Sequence, residues 1–204
     1  MIDRKRDAYD RARFNALTDG VFAVAMTLLV LDLRVPDDLR ISDGGSFLAA
    51  LHLLAPKAGA YLLSFLVAGL VWLSRAAIDE APPVMSRREA LLGLGYLLLV
   101  TLVPFSTIVI GQHPTITAAV WIYCGNVGLL GLFAAAMRTQ IPEPLRDERY
   151  RERIAGSLLV TASAVIAAIL ATTDLKNEAL WAFALNFGGP FIRRIARASR
   201  AAPN

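Results

Sequence analysis

Six stretches of mostly apolar residues, separated by short polar segments, run along the chain. A helix needs about 20 apolar residues to cross the ~30 Å hydrocarbon core of a bilayer, and each stretch reaches or approaches that length. The pattern therefore predicts an all-α polytopic membrane protein with six transmembrane helices in one domain, residues 1–204. The predicted spans are Phe14–Leu33, Lys57–Ser74, Ala90–Gly111, Thr115–Met137, Ile154–Thr173 and Glu178–Ile192.

Basic residues are distributed unevenly between the two sides that these spans define. Of the 21 Lys and Arg residues, 17 lie in an N-terminal arm (1–13), the second-to-third loop, the fourth-to-fifth loop and a C-terminal tail (193–204). Because Lys and Arg favour short cytoplasmic segments, both termini are expected in the cytoplasm. The four exceptions, on the opposite side, are Arg34, Arg40, Lys57 and Lys176.

Composition excludes several other classes of protein. With 56% hydrophobic and 19% charged residues, the chain is unlike a soluble enzyme, a disordered tail or a secreted disulfide-rich domain. The single cysteine, Cys124, has no partner for an internal bridge. The net charge of +4 comes from residues at the ends of apolar segments, so no nucleic-acid partner is expected. No phosphate loop, metal-ligand set or nucleophile elbow is present in the sequence, which predicts no enzyme, no cofactor and no bound metal.

The loops and the later spans carry few distinctive signals. Ser46 is expected to cap a short helix, Phe47–Ala55, that Pro56 ends. The acidic external loop either concentrates cations near a pore mouth or is merely solvated; its carboxylates are Asp32, Asp37, Asp38 and Asp43. Three glycines in the fourth span predict a close helix contact, within or between subunits; they are Gly125, Gly128 and Gly131. Four aromatic residues are assigned to interfacial belts or packing: Trp72, Trp121, Tyr123 and Trp181.

The first span contains the most unusual residue of the chain. Asp19 lies about one and a half turns inside it, where a charge costs ~2.5 kcal/mol or more without a partner or water. Val24, Leu28 and Leu31 share one helical face, Thr27 lies on its flank, and Asp19 is roughly 140° away. The aliphatic face alone is typical of lipid contact or packing. Asp19 is either a structural partner of an arginine or helix end, or a site for a proton or cation.

The first span also resembles a known family. Its residues 13–31 read RFNALTDGVFAVAMTLLVL. This stretch is similar to the first helix of the transmembrane protein 175 family, the endolysosomal potassium channel and its prokaryotic relatives. The family signature is Arg-x-x-x-Phe-Ser-Asp, followed by a hydrophobic helix with a threonine eight residues after the Asp, where this chain has Thr27. The segments DLRVP (32–36) and LVPFST (102–107) also look like the family.

The resemblance implies a potassium-permeable cation channel in the plasma membrane of a prokaryote. It implies a homotetramer in which the first helix of each subunit lines one central pore, without a TVGYG filter, and K⁺ is the only ion bound, transiently. Carried over by position, Val24 forms the narrowest ring, Leu28 and Leu31 form the next rings, and Thr27 presents hydroxyl groups nearby. A supporting polar network is implied for Arg13, Thr18 and Asp19.

Two departures from the family pattern affect this network. Leu17 and Thr18 replace the Phe and Ser of the signature, so the hydroxyl is kept and the ring is lost. The family often has a Trp followed closely by a His near the end of the second span, whereas Trp72 is followed here by Leu73-Ser74-Arg75. We therefore expect the polar groups behind the pore to be arranged differently.

Other functions remain open on the sequence. The principal alternative is a small transporter, proton-coupled or proton-conducting, that uses Asp19. A carrier should contain broken helices or repeated halves, and neither is evident. An intramembrane enzyme lacks a base to pair with the one buried acid, and a membrane scaffold without transport is distinguished only by measuring currents.

Overall fold

Five long helices form the bundle that the computed structural model describes. The described residues are 9–34, 42–76, 82–140, 148–174, 176–184 and 186. The helices are α1 (Arg11–Leu28), α2 (Gly44–Ala76), α3 (Arg87–Gln112), α4 (Thr117–Thr139) and α5 (Glu148–Leu170). A 3-10 helix, Leu29–Asp32, continues α1, and another, Lys176–Ala184, follows α5. Two short antiparallel strands, β1 (Tyr9–Asp10) and β2 (Val84–Met85), pair Tyr9 with Met85 and Asp10 with Val84.

All five long helices are long and apolar enough to cross a membrane. The prediction of an all-α polytopic membrane protein is therefore confirmed, and five of the six predicted spans are observed. The predicted sixth span, Glu178–Ile192, is described only in part: it forms the 3-10 helix as far as Ala184. Residues 187–192 and the predicted C-terminal tail lie outside the described residues, as do residues 1–8 of the N-terminal arm.

The two helices that begin beside the β-strands are capped by side chains. Asp10 Oδ1 accepts hydrogen bonds from the backbone N–H groups of Ala12 (2.8 Å) and Arg13 (3.3 Å), so α1 begins at Arg11. The predicted N-terminal arm thus ends before Arg13. Ser86 and Glu89 form a reciprocal capping box at the start of α3. Both caps satisfy N–H groups that lack a partner within the helix.

The prediction of a separate helix Phe47–Ala55 is wrong. α2 runs without interruption from Gly44 to Ala76 and contains Pro56. Proline removes one backbone donor, and a membrane helix tolerates this loss where neighbouring groups compensate for it. Ser46 is not the cap of a separate helix: its backbone N–H donates to Asp43 Oδ1 at 2.7 Å, and its Oγ accepts from the Asp43 N–H at 3.1 Å. The Ser46 backbone N–H lowers the pKa of the Asp43 carboxyl below its ordinary value.

The core of the bundle lies between α3, α4 and α5, with α1 and α2 packed against α3. Tyr123, assigned from the sequence to a belt or to packing, is fully buried in this core and meets Phe183 edge-on at 5.6 Å. Gly128 and Gly131 form a close helix contact within the chain, since a Cβ at Gly131 would lie 2.8 Å from the Ser157 carbonyl oxygen of α5. Gly125 faces open space instead.

Candidate pore helix and its polar support

One face of α1 is buried and the opposite face is exposed. Thr18, Phe22 and Ala25, with Leu29 after them, face the bundle at helical spacing. Val24, Leu28 and Leu31 are 58%, 43% and 63% exposed. The pore residues expected from the sequence therefore share an exposed, apolar stripe along one side of the helix.

Thr27 is exposed next to this stripe. Its hydroxyl donates a hydrogen bond to the Val24 carbonyl oxygen at 2.8 Å. The proton is therefore engaged within the helix, while the oxygen keeps a lone pair that can face an ion or water. This geometry suits a group that accepts hydrogen bonds or coordinates a cation.

Asp19 joins α1 to α2. Trp72 Nε1 donates a hydrogen bond to Asp19 Oδ1 at 2.9 Å, while the Asp19 side chain remains exposed. A hydrogen bond to a carboxylate stabilises its charged form, which reduces the cost of placing this acid inside a span. The tryptophan assigned to a belt or to packing is therefore the polar partner of the unusual acid.

Thr18 is fully buried where α1 meets α2 and α3. Its hydroxyl donates to the Phe14 carbonyl oxygen at 2.9 Å and accepts from Arg75 Nη2 at 3.5 Å. Arg75 Nη2 also lies 3.4 Å from Asn15 Oδ1, and the guanidinium stacks over the rings of Phe14 (5.6 Å) and Tyr96 (5.4 Å). Arg75 is thus held by neutral groups and aromatic faces at the N-terminal half of α1.

Arg13 is not part of this cluster. The side chain is exposed, and within the described part of the chain it forms no hydrogen bond or ion pair. Instead it borders an open groove of about 740 Å³ between α1 and α3. Of the predicted supporting network, the Thr18 and Asp19 side chains are therefore hydrogen-bonded to α2, and the Arg13 side chain has no such bond within the described residues.

A buried arginine, Arg138, was missed in the sequence, where it was counted as a loop charge. Arg138, in the last turn of α4, is only 3% exposed. It donates to the Ala134 carbonyl oxygen (3.0 Å), to Ser157 Oγ, and to the Ser74 carbonyl oxygen (3.1 Å) and Oγ (2.8 Å). It therefore links α2, α4 and α5, and its charge complements the C-terminal ends of α2 and α4.

The far end of the α1 segment is also attached to its neighbours. Asp32 Oδ1 lies 3.6 Å from Lys57 Nζ of α2 and accepts from Gln112 Nε2 of α3 at 3.4 Å. Asp32 is therefore paired with residues of other helices, whereas the sequence placed it among the carboxylates of an acidic external loop. Asp37 and Asp38 lie outside the described residues.

The described residues offer little for a metal or a reactive thiol. Within them, no three His, Cys, Asp or Glu side chains are grouped so that they could hold a metal ion. Cys124 is buried as a free thiol, and His52 and His113 are both exposed. The polar side chains on and around α1 are therefore the candidate functional groups.

Comparison with known proteins connects the first half of the chain to one family. Residues 13–104 match the family model described as endosomal/lysosomal potassium channel TMEM175. A protein of Streptomyces collinus named a potassium channel is 35% identical over 105 residues, which cover 51% of this chain and 49% of that protein. One of Chamaesiphon minutus, also named a potassium channel, is 33% identical over 123 residues, or 57% of this chain and 58% of that protein. The chain thus spans about half the length of these curated relatives.

A human relative is named differently. The protein called endosomal/lysosomal proton channel TMEM175 in Homo sapiens is 38% identical over 73 residues, covering 33% of this chain and 14% of the human protein. The human protein is named for protons, whereas the two bacterial proteins are named for potassium. The relatives of this chain are therefore named as channels for two different ions.

Two solved structures share the fold over nearly the whole chain. The crystal structure of a lysosomal potassium-selective channel TMEM175 homolog from Chamaesiphon minutus superposes with a TM-score of 0.68 at 24% identity, over 94% of this chain and 98% of that one. The potassium channel MtTMEM175, solved as a variant bound to a nanobody fusion, superposes with a TM-score of 0.58 at 13% identity, over 98% and 100%. These likenesses concern the fold. The family match over residues 13–104, slightly under half of the chain, confirms there the resemblance to the transmembrane protein 175 (TMEM175) family that the sequence predicted.

Proposed function

We propose that this chain forms a potassium-permeable cation channel whose constriction is a ring of aliphatic side chains on α1. The observation that carries the proposal is the exposed stripe of Val24, Leu28 and Leu31, opposite the face that α1 buries in its own bundle. The family match begins at Arg13 and includes the rest of this helix, and the two bacterial relatives are named potassium channels rather than enzymes.

Four copies of the chain would place these stripes around one axis. Within Arg11–Asp32, only 28% of the most apolar 18 residues are buried inside the single chain, so the helix has ample surface for further partners. Ala16, Gly20 and Ala23 are small and exposed beside the stripe, and open space surrounds the position of a Cβ at Gly20. Small residues let helices approach closely in a membrane, which favours contacts between neighbouring copies of α1.

The proposed constriction works without a filter of backbone carbonyl groups. A narrow ring of valine side chains excludes water and so blocks ions, and conduction requires the helices to separate until a hydrated ion fits. Four Val24 side chains would form the narrowest ring, with Leu28 and Leu31 forming the next ones. The exposed Thr27 oxygens would offer polar contacts to the ion between these rings.

The polar groups behind α1 would hold the helix in place while the pore widens. Asp19 is attached to Trp72 of α2, and Thr18 is attached to Arg75 of the same helix. These bonds are on faces other than the proposed pore stripe. We assign Asp19 and Thr18 to supporting the helix rather than to contacting the ion. Arg13 was expected to share this role, but its side chain borders the open groove between α1 and α3 instead.

An alternative function uses Asp19 as a proton site. One observation favours it: Asp19 is exposed within a span, and the hydrogen bond from Trp72 reaches one carboxylate oxygen only. The human relative is also named a proton channel. Under this alternative, Asp19 would bind and release protons during transport, and a variant that cannot exchange a proton at this position, such as Asp19→Asn, would be inactive.

We place the channel in the plasma membrane of a prokaryotic cell with both termini in the cytoplasm. The bacterial relatives support the cell type. The 17 basic residues on the side of the termini support the orientation. The lipid bilayer, monovalent cations and other copies of the chain would be its partners.

Planar-bilayer recording under a potassium/sodium gradient tests the channel proposal. We expect Val24→Ala to raise the leak current, and Val24→Asn to raise it further and bring the reversal potential closer to zero, because a polar ring stays hydrated. Val165→Asn in α5 is the matched control, since Val165 is similarly exposed (52%) but lies outside α1. It should leave current and selectivity unchanged.

Three outcomes would contradict the proposal. Wild-type currents in both Val24 variants would remove Val24 from the pore. Slow, saturable flux without single-channel events would favour a carrier instead. Proton uptake by liposomes that is abolished in Asp19→Asn, with no potassium current in wild-type protein, would support the alternative.

A further inference from the structure

Two buried asparagines in the core of the chain each have one polar atom without a partner. They are Asn126 of α4, 9% exposed, and Asn186, 7% exposed, which lies two residues beyond the 3-10 helix Lys176–Ala184. Within the described residues, neither side-chain oxygen, Oδ1, accepts a hydrogen bond. An unpaired buried acceptor destabilises a fold, so two such atoms in one core require a donor. The channel proposal uses neither residue.

The nitrogen atoms of the two amides are bound in the same way. Asn126 Nδ2 donates to Ser106 Oγ of α3 at 3.0 Å, and Asn186 Nδ2 donates to Ser163 Oγ of α5 at 2.8 Å. Each serine hydroxyl in turn donates to a backbone carbonyl oxygen of its own helix, at 3.0 Å and 2.9 Å. The serine protons are thereby used, so both serine oxygens and both amide oxygens can only accept a further hydrogen bond.

The register of α4 against α5 places the two asparagines at one level of the bundle. Two hydrogen bonds fix this register: Trp121 Nε1 to the Ala168 carbonyl oxygen at 3.0 Å, and Thr161 Oγ1 to the Gly128 carbonyl oxygen at 3.1 Å. Since the helices are antiparallel, Asn126 lies opposite Ser163, within about 3 Å along the helix axis at 1.5 Å per residue. Ser163 is the residue to which Asn186 donates.

An aromatic contact shows that the two asparagines also border one interface. The rings of Tyr123 in α4 and Phe183 in the 3-10 helix meet edge-on, with centroids 5.6 Å apart. The 3-10 helix follows α5 and the chain reaches Ser163 only at Asn186, so it runs back along α5, parallel to α4. Asn126 and Asn186 each follow their aromatic residue by three positions, which is about one helical turn. Both asparagines therefore lie one turn beyond the ring pair.

We propose that each chain binds a water molecule between Asn126 and Asn186, which donates one hydrogen bond to each amide oxygen. Water supplies the two donors that the two free acceptors need, and a buried water typically makes about three hydrogen bonds to such groups. A monovalent cation fits less well, because the four surrounding groups are neutral and the ion would lose its hydration inside the membrane. The water would complete a network from Ser106 through both asparagines to Ser163. None of these residues lies on α1, so the proposal does not depend on ion conduction.

Solid-state NMR on the wild-type chain in phosphatidylcholine bilayers, labelled with ¹³C,¹⁵N-asparagine, tests the site. Magnetisation transferred from water should reach the side-chain amides of Asn126 and Asn186, as it reaches the exposed Asn15. In Asn186→Leu, the Asn126 amide should lose most of this transfer, because the water has lost one of its two acceptors. Thr107→Val is the matched control: it removes a buried hydroxyl that bonds to neither asparagine, and it should leave both signals unchanged.

A double-mutant cycle of melting temperatures distinguishes one shared water from two separate ones. Asn126→Leu and Asn186→Leu each break the same bridge, so the double variant should lose less than the sum of the two single losses. Thr117→Val combined with Asn126→Leu is the control pair, because these residues are about 13.5 Å apart along α4 and their losses should add.

Three results would overturn the proposal. The first is an absence of water transfer to the Asn126 and Asn186 amides of the wild-type chain, a measurement that does not depend on any variant folding. The second is additive losses for Asn126→Leu and Asn186→Leu. The third is a side-chain carbonyl ¹³C shift of both asparagines that changes between potassium and sodium buffers without water transfer, which would indicate a bound cation.

Discussion

Replacing Gly131 by alanine tests how closely α4 and α5 pack. A Cβ at this position would lie 2.7 Å from Thr161 Oγ1, 2.8 Å from the Ser157 carbonyl oxygen and 3.1 Å from the Thr161 backbone nitrogen. Ordinary contacts begin near 3.4 Å, so the backbone of α5 must move by about 0.6 Å to accept the methyl group. The same movement would lengthen the 3.1 Å hydrogen bond from Thr161 to the Gly128 carbonyl oxygen.

The cost of this movement can be set against the gain from alanine. Overpacking of this kind costs about 1–3 kcal/mol, and alanine recovers up to ~1 kcal/mol relative to glycine within a helix. We therefore expect Gly131→Ala to lower the free energy of unfolding by about 1–2 kcal/mol. By the scaling for chains of this size, the melting temperature would fall by roughly 2–8 °C.

Gly125→Ala provides the matched control in the same helix. No atom lies within 4 Å of the Cβ that this substitution would add, so only the gain in helix propensity remains. Thermal unfolding in detergent, followed by size-exclusion chromatography of the remaining soluble protein, compares the two variants with wild type. A melting temperature for Gly131→Ala that equals or exceeds that of Gly125→Ala would refute the close packing of α4 and α5 at this point.

Three further predictions concern the polar side chains. Asp19→Asn weakens a charge-assisted hydrogen bond and should reduce the yield of the proposed tetramer or alter gating, while the potassium/sodium reversal potential stays close to wild type. A large change in selectivity with normal yield would contradict a supporting role. Arg138→Met should lower the free energy of unfolding by about 1–3 kcal/mol in the same melting assay, because buried acceptors lose their donor. Arg151 is exposed, and Arg151→Met should shift the free energy of unfolding by less than about 0.5 kcal/mol. Lys57→Met removes the positive charge beside Asp32 and should raise unitary cation conductance at low salt, because the carboxylate is then no longer neutralised. The increase should vanish at high salt, and an increase that persists there would exclude an electrostatic cause.

Hydropathy and bilayer thickness were enough to predict the five membrane spans that are observed. The predicted limits of the third and fourth spans lie within three residues of those of α3 and α4. A helix must satisfy its backbone inside the membrane, so a long apolar segment leaves little choice of structure. Pro56 was misinterpreted because a rule from soluble helices was applied where a membrane helix continues through proline.

Contacts between helices could not be predicted in the same way. Arg75 and Arg138 were counted as charges that mark membrane topology, but both lie within helices and contact residues 57–64 positions away in sequence. The spacing of Trp72 and Arg75, which places them on one side of α2, was the available signal for a shared polar cluster. Their partners on α1 depend on how the helices pack, and one sequence does not determine that packing.

The attachments at the two ends of the α1 segment have a consequence for how the proposed pore opens. Arg11 binds Glu89 at the start of α3, and Asp32 binds Gln112 at its end, so the two helices run side by side in the same direction and are joined at both extremities. Neither end of α1 can move outward alone without breaking these bonds. Dilation of the pore must therefore either bend the middle of α1 outward or move α3 together with α1. If α3 moves, substitutions on the side of α3 that packs against α4 would alter the open probability, although these residues never contact an ion.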